Sequence, residues 1–251
     1  MNSTFHKFPR GQARAGSIDD NPLKWTSRYG SLSLIGYDLG THKGVNEAGL
    51  SAHLLFLANE TDYGKRDPSL EDKTGDSAII EWINGKPKVW HGKEYRVMTN
   101  EPTYDKQMAN LKNYRTFGGD QPLPGERLPM DRFVRASYYV RGLPTPQNSD
   151  QGVAWIMSVM RNVSVPYGAA DPERPNVANT TFRSVIDLTQ QRYFFESTLA
   201  PNIVWVDYSK LDFSPESGES ELRVEKQIMS LSGNVVTQFK PVANFVWKRN
   251  Q

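Results

Sequence analysis

The sequence TFRSVIDLTQQRYFFEST, residues 181–198, decides the class of fold. Two runs rich in β-branched and aromatic residues, 181–188 and 192–198, flank the polar turn TQQ. Such residues fit a pleated, half-buried surface, so this pattern predicts two antiparallel strands. A third run of the same kind, NIVWVDYS at 202–209, follows, and QIMSLSG at 227–233 is also predicted to be a strand. The C-terminal part of the chain is therefore predicted to form an antiparallel sheet.

Three helices are predicted in the middle of the chain, over 103–117, 131–141 and 150–162. Thr103 is a good N-cap residue for the first helix, and a glycine pair at 118–119 can end it. The other two are indicated by apolar residues at helical spacing. The predicted apolar stripes are Phe133, Ala136, Ser137 and Val140 in the second helix, and Val153, Ile156, Met157 and Met160 in the third.

The N-terminal part predicts further strands. Residues 31–40 favour one strand, and a turn at 46–49 precedes another whose apolar run suggests burial on both faces. Asn84-Gly85 predicts a type I′ hairpin between SAIIEW and PKVW, and YRVMTN at 95–100 predicts one more strand. Residues 1–30 are polar and turn-rich, and no strand is predicted there. We find no linker, so residues 1–251 are interpreted as a single α+β domain.

Composition excludes several classes of protein. The 251 residues carry 30 Lys+Arg against 28 Asp+Glu, and the charges are interspersed, which argues against a nucleic-acid-binding face. No stretch is apolar enough for a membrane span. The N-terminus, MNSTFHKFPRGQARAG, has no apolar core and is not a signal peptide. The sequence contains no cysteine, which excludes disulfides, zinc ribbons and thiol catalysis by these residues.

Generic catalytic and cofactor motifs are absent from the sequence. There is no phosphate-binding glycine loop and no G-x-S-x-G nucleophile elbow. The four histidines lack metal-ligand spacing, so we expect no metal and no cofactor. Asp72 and Asp76 flank a Lys-Thr-Gly run that resembles half a calcium loop, but a hairpin turn is the better interpretation. Generic spacing therefore leaves the function open.

A series of longer sequence strings narrows the range of families to which the chain can be compared. In order along the chain they are FPRG at 8–11, WTSRYGSLS at 25–33, GVNEAGL at 44–50, GDSAIIEW at 75–82, VMTNEPTYDKQMANLKNY at 97–114, LPG at 123–125, DRFVRASYYV at 131–140, RNVSVPYG at 161–168 and RYFFESTLAPNIVWVD at 192–207. Together they resemble the choloylglycine hydrolase family, the linear amide C–N hydrolases. The similarity is greatest to its penicillin V acylase branch from Gram-negative bacteria.

The resemblance implies a fold and a chemistry. The fold is an αββα sandwich of two mainly antiparallel sheets flanked by helices, of the N-terminal-nucleophile hydrolase class and usually a homotetramer. The family cleaves the amide of bile salts, penicillin V or N-acyl homoserine lactones, small-molecule N-acyl substrates. Its nucleophile is an N-terminal cysteine, whose free α-amine has an ordinary pKa of about 7.7–8.0 and can act as the thiol's base. Relatives of this branch are periplasmic, so the resemblance also implies a periplasmic or secreted protein.

The family's functional residues transfer to three positions. Asn100 of the T-N-x-P motif is the candidate oxyanion donor, and Arg132 of D-R-F is a candidate charge in the site. Phe56 corresponds to the position whose side chain faces the acyl group. Each has a structural alternative. Asn100 can shape a turn, Arg132 can pair with a surface carboxylate, and Phe56 can belong to the core.

The sequence departs from the family in two places. The nucleophilic cysteine and its R-x-M-D segment are missing, and a helical pair with a strand is missing near 67–70, which predicts an incomplete helix layer. Ser3 or Thr4 as a substitute nucleophile would need cleavage after Asn2 or Ser3, and both lie well downstream of the position that the family's cysteine occupies. Three hypotheses follow: an amidase whose remaining segments are unrecorded, a truncated inactive paralogue that binds or assembles, or a module that retains the acyl pocket for a lipid-like ligand.

Overall fold

A computed structural model describes residues 3–16, 22–36, 40–55, 78–168 and 179–245. The chain divides into two compact units, Met1–Leu54 with Thr181–Gln251, and Leu55–Thr180. Each unit has its own apolar core and is described by itself. The interpretation of residues 1–251 as a single domain stays a prediction.

The described residues of the first unit form strands, one short α-helix and several 3-10 turns. Its elements are β1 (Ser3–Phe8), β2 (Ala13–Ala15), β3 (Lys24–Thr26), β4 (Ser31–Gly36), β5 (Gly40–Asn46), β6 (Ser51–His53), β9 (Phe182–Asp187), β10 (Arg192–Ser197), β11 (Ile203–Asp207), β12 (Glu219–Leu222), β13 (Gly233–Asn234), β14 (Lys240–Val242) and the helix α4 (Val224–Gln227). One sheet has the order β14-β12-β1-β4-β5-β6, a second has β13-β11-β10-β9, and β2 pairs with β3. Of these strand pairs only β11–β13 is parallel, so the predicted mainly antiparallel character is confirmed.

The two larger sheets pack face to face around the core of the first unit. Phe5 of β1 contacts two rings of β10 edge-on, with ring centroids 5.1 Å from Tyr193 and 5.9 Å from Phe195. All three side chains are fully buried. Edge-to-face aromatic contacts add to the burial of apolar area, so this cluster ties the two sheets together. The α+β class with stacked antiparallel sheets is therefore confirmed.

The prediction that residues 1–30 contain no strand is wrong. β1 lies between β12 and β4 in the larger sheet, and all six of its residues are buried. Its polar side chains obscured this in the sequence, since Ser3, His6 and Lys7 look like surface residues. Their partners come from the far end of the chain: Glu225, Glu219 and the backbone carbonyl of Asp212. A local pattern cannot reveal partners more than 200 residues away.

Three other strand predictions need correction. The predicted strand 31–40 ends at Gly36, and β5 was not predicted. The strand after the 46–49 turn is the short edge strand β6, and the exposed Leu54 that follows it contradicts burial on both faces. Residues 95–100 are not a strand, because the N–H of Tyr95 bonds the carbonyl of Gly92 in a local turn.

Residues 227–233 are also not a strand, apart from the short β13 that begins at Gly233. They continue α4 into a 3-10 turn, Ile228–Ser230. Ile228 and Leu231 are buried whereas Met229 is 70% exposed. Burial three residues apart follows a helical period rather than the alternation of a strand, which is why the apolar run was misread.

In the residues that the structure describes, 78–168 and 179–180 with Leu55, the second unit contains a hairpin and three longer helices. Its elements are β7 (Ala78–Ile83), β8 (Lys86–His91), α1 (Tyr104–Leu111), α2 (Pro129–Gly142) and α3 (Ser149–Asn162). The hairpin turn is as predicted, with positive φ at Asn84 and Gly85. α2 packs on both α1 and α3. Phe133 and Val134 of α2 join Tyr104 and Leu111 of α1 in the core of this unit.

The helices occur where they were predicted, but they differ from the prediction in length and in which side chains are buried. α1 ends at Leu111, and a separate 3-10 turn at Arg115–Phe117 precedes Gly118, whose φ is +107°. In α3 the buried residues are Met157 and Val159, while Ile156 is exposed, so the predicted stripe is only partly right. The absence of a helical pair was predicted near 67–70, and that position lies outside the described residues.

Candidate active site

Asn100 lies in the irregular segment between β8 and α1, four residues before the helix begins. Its side chain is half-buried, and its Oδ1 accepts a hydrogen bond of 3.1 Å from Nη2 of Arg132. An arginine can only donate, so the atom that faces Arg132 must be the amide oxygen. The Nδ2 group therefore points away from the guanidinium. Within the described part of the chain, Nδ2 donates no hydrogen bond, which leaves both of its protons for another acceptor.

Arg132 is the fourth residue of α2, which begins with Pro129. Besides Asn100, its guanidinium contacts one neutral acceptor, the backbone carbonyl of Arg127, at 3.2 Å from Nε. No carboxylate of the described residues lies within 4.0 Å of it. Burial, together with the nearby charge of Arg135, lowers the pKa of Arg132 from its usual value, yet arginine remains cationic at physiological pH.

The surroundings of Arg132 contain charges of both signs, and its neighbouring arginine is also held without a carboxylate contact from the described residues. Arg135, one turn further along α2, donates to the backbone carbonyls of Pro124 and Glu126 at 3.2 and 2.6 Å. Two acids lie near them, Asp131 and Glu126, and the pKa of Asp131 is raised because burial and the charge of Glu126 outweigh the attraction of Arg135. The loop before α2 thus holds two guanidiniums through backbone carbonyls rather than through carboxylates. This arrangement preserves a positive field that can attract an anion or a developing negative charge.

Two of the three predicted site residues are therefore in direct contact, although 32 residues separate them in the chain. The third, Phe56, lies outside the described residues. The contact agrees with a shared site, while the roles of all three residues stay predictions. The carbonyl of Arg127 is a further part of this arrangement, and no side-chain motif could have indicated it.

The hydroxyl groups weighed as substitute nucleophiles lie in the first unit. Ser3 and Thr4 belong to the buried central strand β1. The Ser3 hydroxyl donates to Oε1 of Glu225 at 3.0 Å, and its backbone N–H donates to Oε2 at 3.2 Å. A hydroxyl held in a sheet by a carboxylate is poorly placed to attack a substrate. The structure therefore gives no support to a nucleophile at either position.

Metal sites and membrane spans were also expected to be absent, and the described ranges bear on both. No cluster of three or more His, Asp or Glu residues there could hold a metal ion. No helix there is long and apolar enough to cross a membrane.

Comparison with known proteins places these observations in context. A sequence model described as linear amide C–N hydrolases, choloylglycine hydrolase family, matches residues 68–221. Penicillin V acylase from Pectobacterium atrosepticum is 34% identical over 311 residues, which cover 95% of this chain and 82% of that protein. The alignment is longer than the chain, so this relative contains internal segments with no counterpart here.

Other similarities agree with this one. The bile salt hydrolase/transferase of Lactiplantibacillus plantarum is 24% identical over 66% of this chain and 59% of its own length. The structure of penicillin V acylase from Agrobacterium tumefaciens matches 98% of this chain and 92% of its own, with a TM-score of 0.88 and 37% identity. A variant of conjugated bile acid hydrolase from Clostridium perfringens shares the fold, with a TM-score of 0.68, 18% identity and 89% of each chain covered.

Proposed function

The chain belongs to the choloylglycine hydrolase family of linear amide C–N hydrolases, and from this premise we propose that it binds and helps to hydrolyse small N-acyl amides. Substrates would be of the penicillin V, bile salt or N-acyl homoserine lactone type. In this proposal Asn100 and Arg132 stabilise the reacting carbonyl, and Phe56 contacts the acyl group. The nucleophile is an N-terminal cysteine, which these 251 residues do not contain.

The observation that carries the proposal is the hydrogen bond from Arg132 to Asn100 Oδ1, 3.1 Å long. It orients the amide so that Nδ2 is the outward donor. A cation on the oxygen side also polarises the amide, which makes the N–H groups stronger donors. A preoriented donor of this kind stabilises a tetrahedral oxyanion by about 3–4 kcal/mol.

The proposed reaction has two covalent steps. The thiolate sulfur bonds to the acyl carbon, the carbonyl oxygen takes up the negative charge, and Asn100 Nδ2 donates to that oxygen. The C–N bond then breaks as the α-ammonium, which holds the thiol's proton, protonates the leaving amine. Water attacks the resulting thioester, releasing the carboxylic acid and restoring the thiol. Asn100 meets the same oxyanion in both steps, so its loss would slow acylation and deacylation alike.

A second candidate function is that of a catalytically inactive paralogue that binds acyl compounds or takes part in assembly. The observation that favours it is the absence of cysteine from the sequence. This candidate uses the same acyl-binding residues, but no covalent step follows. The two candidates therefore differ in turnover and agree in binding.

The test combines calorimetric binding of penicillin V with chromatographic detection of the released acid. We expect the purified 251-residue chain to bind penicillin V and to bind 6-aminopenicillanic acid, which lacks the acyl group, more weakly. Asn100→Asp keeps a contact with Arg132 but removes the donor, so affinity for the acyl compound should fall roughly tenfold. Equal affinity for the two compounds, unchanged by Asn100→Asp, would contradict the proposed site.

Turnover distinguishes the two candidates. We expect no hydrolysis above background by the 251-residue chain, because it supplies no attacking thiol. If the protein purified from its source cells hydrolyses penicillin V and iodoacetamide abolishes this activity, the protein carries a cysteine beyond these residues, which favours the amidase. Hydrolysis that resists alkylation but disappears in Ser3→Ala or Thr4→Ala would show that a hydroxyl is the nucleophile instead.

Two other family properties are proposed on the resemblance alone. They are assembly as a homotetramer and action in the periplasm or outside the cell. Light scattering of the purified protein tests the first, and fractionation of the source cells tests the second.

A further inference from the structure

A buried polar chain runs beside Asn100 inside the second unit. Gln107 of α1 is 1% exposed, and its Nε2 donates to Oγ1 of Thr99 at 2.7 Å. Thr99, also buried, donates from Oγ1 to the backbone carbonyl of Pro129 at 2.9 Å. The direction of this chain is settled because a carbonyl only accepts. The Thr99 hydroxyl must therefore donate to the Pro129 carbonyl, and Gln107 must donate to Thr99 through its NH₂ group.

This series of hydrogen bonds joins the two segments that carry the candidate site. Thr99 directly precedes Asn100, and Pro129 is the first residue of α2, which carries Arg132. A third segment, α1, enters through Gln107. The two hydrogen bonds therefore set the distance between the backbone at Asn100 and the start of α2. That distance in turn sets the 3.1 Å contact between Asn100 Oδ1 and Arg132.

Gln107 is a buried polar residue on a helix that otherwise supplies apolar side chains to the core. Tyr104 and Leu111 of the same helix belong to that core. Its Oε1 is buried, and within the described residues it accepts no hydrogen bond. The contact that Gln107 makes through its side chain in this part of the structure is therefore the hydrogen bond from Nε2 to Thr99. A directional link is what glutamine provides at this position and an apolar residue does not.

We propose that Gln107 and Thr99 are positioning residues, which hold Asn100 against Arg132 and so aim the Asn100 Nδ2 donor. The consequence for acyl compounds rests on the proposed function above. The positioning itself concerns only this chain's own atoms and can be measured without a substrate.

The first experiment follows the Asn100 side-chain amide by NMR in protein labelled with 15N-asparagine, assigned by its loss in Asn100→Ala. Gln107→Glu is nearly isosteric, but an ionised carboxylate cannot donate to Thr99. Burial raises the pKa of such a carboxyl, so it should take up a proton between about pH 9 and pH 5. We expect the Asn100 amide resonance to shift or broaden at high pH and to return as the acid form, which can donate, replaces the anion. A merely structural role of Gln107 gives no such pH-dependent recovery.

Substitutions of Thr99 provide the second arm and do not depend on how well Gln107→Glu folds. Thr99→Val removes the hydroxyl at nearly constant shape and should displace the Asn100 resonance at every pH. Thr99→Ser keeps the hydroxyl and should leave the resonance in place. The matched control is Tyr114→Phe, which removes a hydroxyl from the same core but alters no hydrogen bond between Gln107, Thr99 and Pro129. In this variant too the Asn100 resonance should stay in place.

Binding separates this inference from the proposed function. If both hold, Thr99→Val and Gln107→Glu at high pH bind penicillin V roughly tenfold more weakly than the wild type. If the wild type binds no acyl compound but the Asn100 resonance still responds, the function is wrong and the positioning stands. If the resonance is unchanged in folded Thr99→Val and Gln107→Glu, the positioning role is overturned.

Discussion

Charge is handled in opposite ways at two places, around Glu219 in the first unit and at Arg132 in the second. In the first unit, Glu219 meets His6 Nε2 at 2.7 Å, Arg14 Nη2 at 3.0 Å and the N–H of Phe245 at 2.7 Å. In the second, Arg132 meets only neutral acceptors, the Asn100 amide and a backbone carbonyl. A charge surrounded by opposite charge and donors is satisfied within the fold. A cation held by neutral groups keeps its field for a ligand, which is the role proposed for Arg132.

We expect the largest effect on stability from Glu219, whose negative charge is compensated by its partners. Glu219→Ala would leave Arg14 without its carboxylate and the His6 ring and the Phe245 N–H without their acceptor. Removing one partner of a buried ion pair costs about 3–5 kcal/mol, so we expect a loss of that size in the free energy of unfolding measured with urea. The control Glu216→Ala removes an exposed acid nearby and should change stability by less than about 0.5 kcal/mol. Similar losses for the two variants would refute the interpretation of Glu219 as the centre of a stabilising cluster.

The same cluster predicts a dependence on acid. Burial alone would raise the pKa of Glu219, but the hydrogen bonds from His6 and the Phe245 N–H, with the charge of Arg14, outweigh it and lower that pKa. A carboxyl with a lowered folded pKa contributes stability above its unfolded pKa and loses it as pH falls through the folded value. We therefore expect the free energy of unfolding to decrease from about pH 5 downward. In Glu219→Gln this decrease should be shallower, and an unchanged slope would show that other carboxyls are responsible.

We expect the smallest effect on stability from Arg132, a cation that contacts no carboxylate of the described residues. Arg132→Met keeps most of the side-chain volume and removes a desolvated charge that has no acid partner. Such replacements are often neutral or stabilising, so we expect the free energy of unfolding to change by no more than about 1 kcal/mol. Affinity for penicillin V should nevertheless fall roughly tenfold, because Asn100 loses the donor that orients it. A large loss of stability without a loss of affinity would place Arg132 among the structural charges.

The candidate site was predictable to the extent that its residues lie in motifs. Asn100 and Arg132 stand in the T-N-x-P and D-R-F strings, and those strings led to both. Gln107 was not singled out, because a glutamine on a helix is ordinarily an exposed residue. Its importance depends on burial and on Thr99, which faces it only when the segment before α1 returns toward the helix.

The sequence alone determined the elements whose signals are local. The hairpin at Asn84-Gly85, the three longer helices and the strands β9 to β11 follow from turn chemistry and periodicity within short windows. Tertiary structure alone decided whether a polar segment is buried, as in β1, where His6 is compatible with a core only because Glu219 arrives from the other end of the chain. It also decided that Asn100 and Arg132 touch. Burial and charge compensation depend on partners that are distant in sequence, and no local pattern contains them.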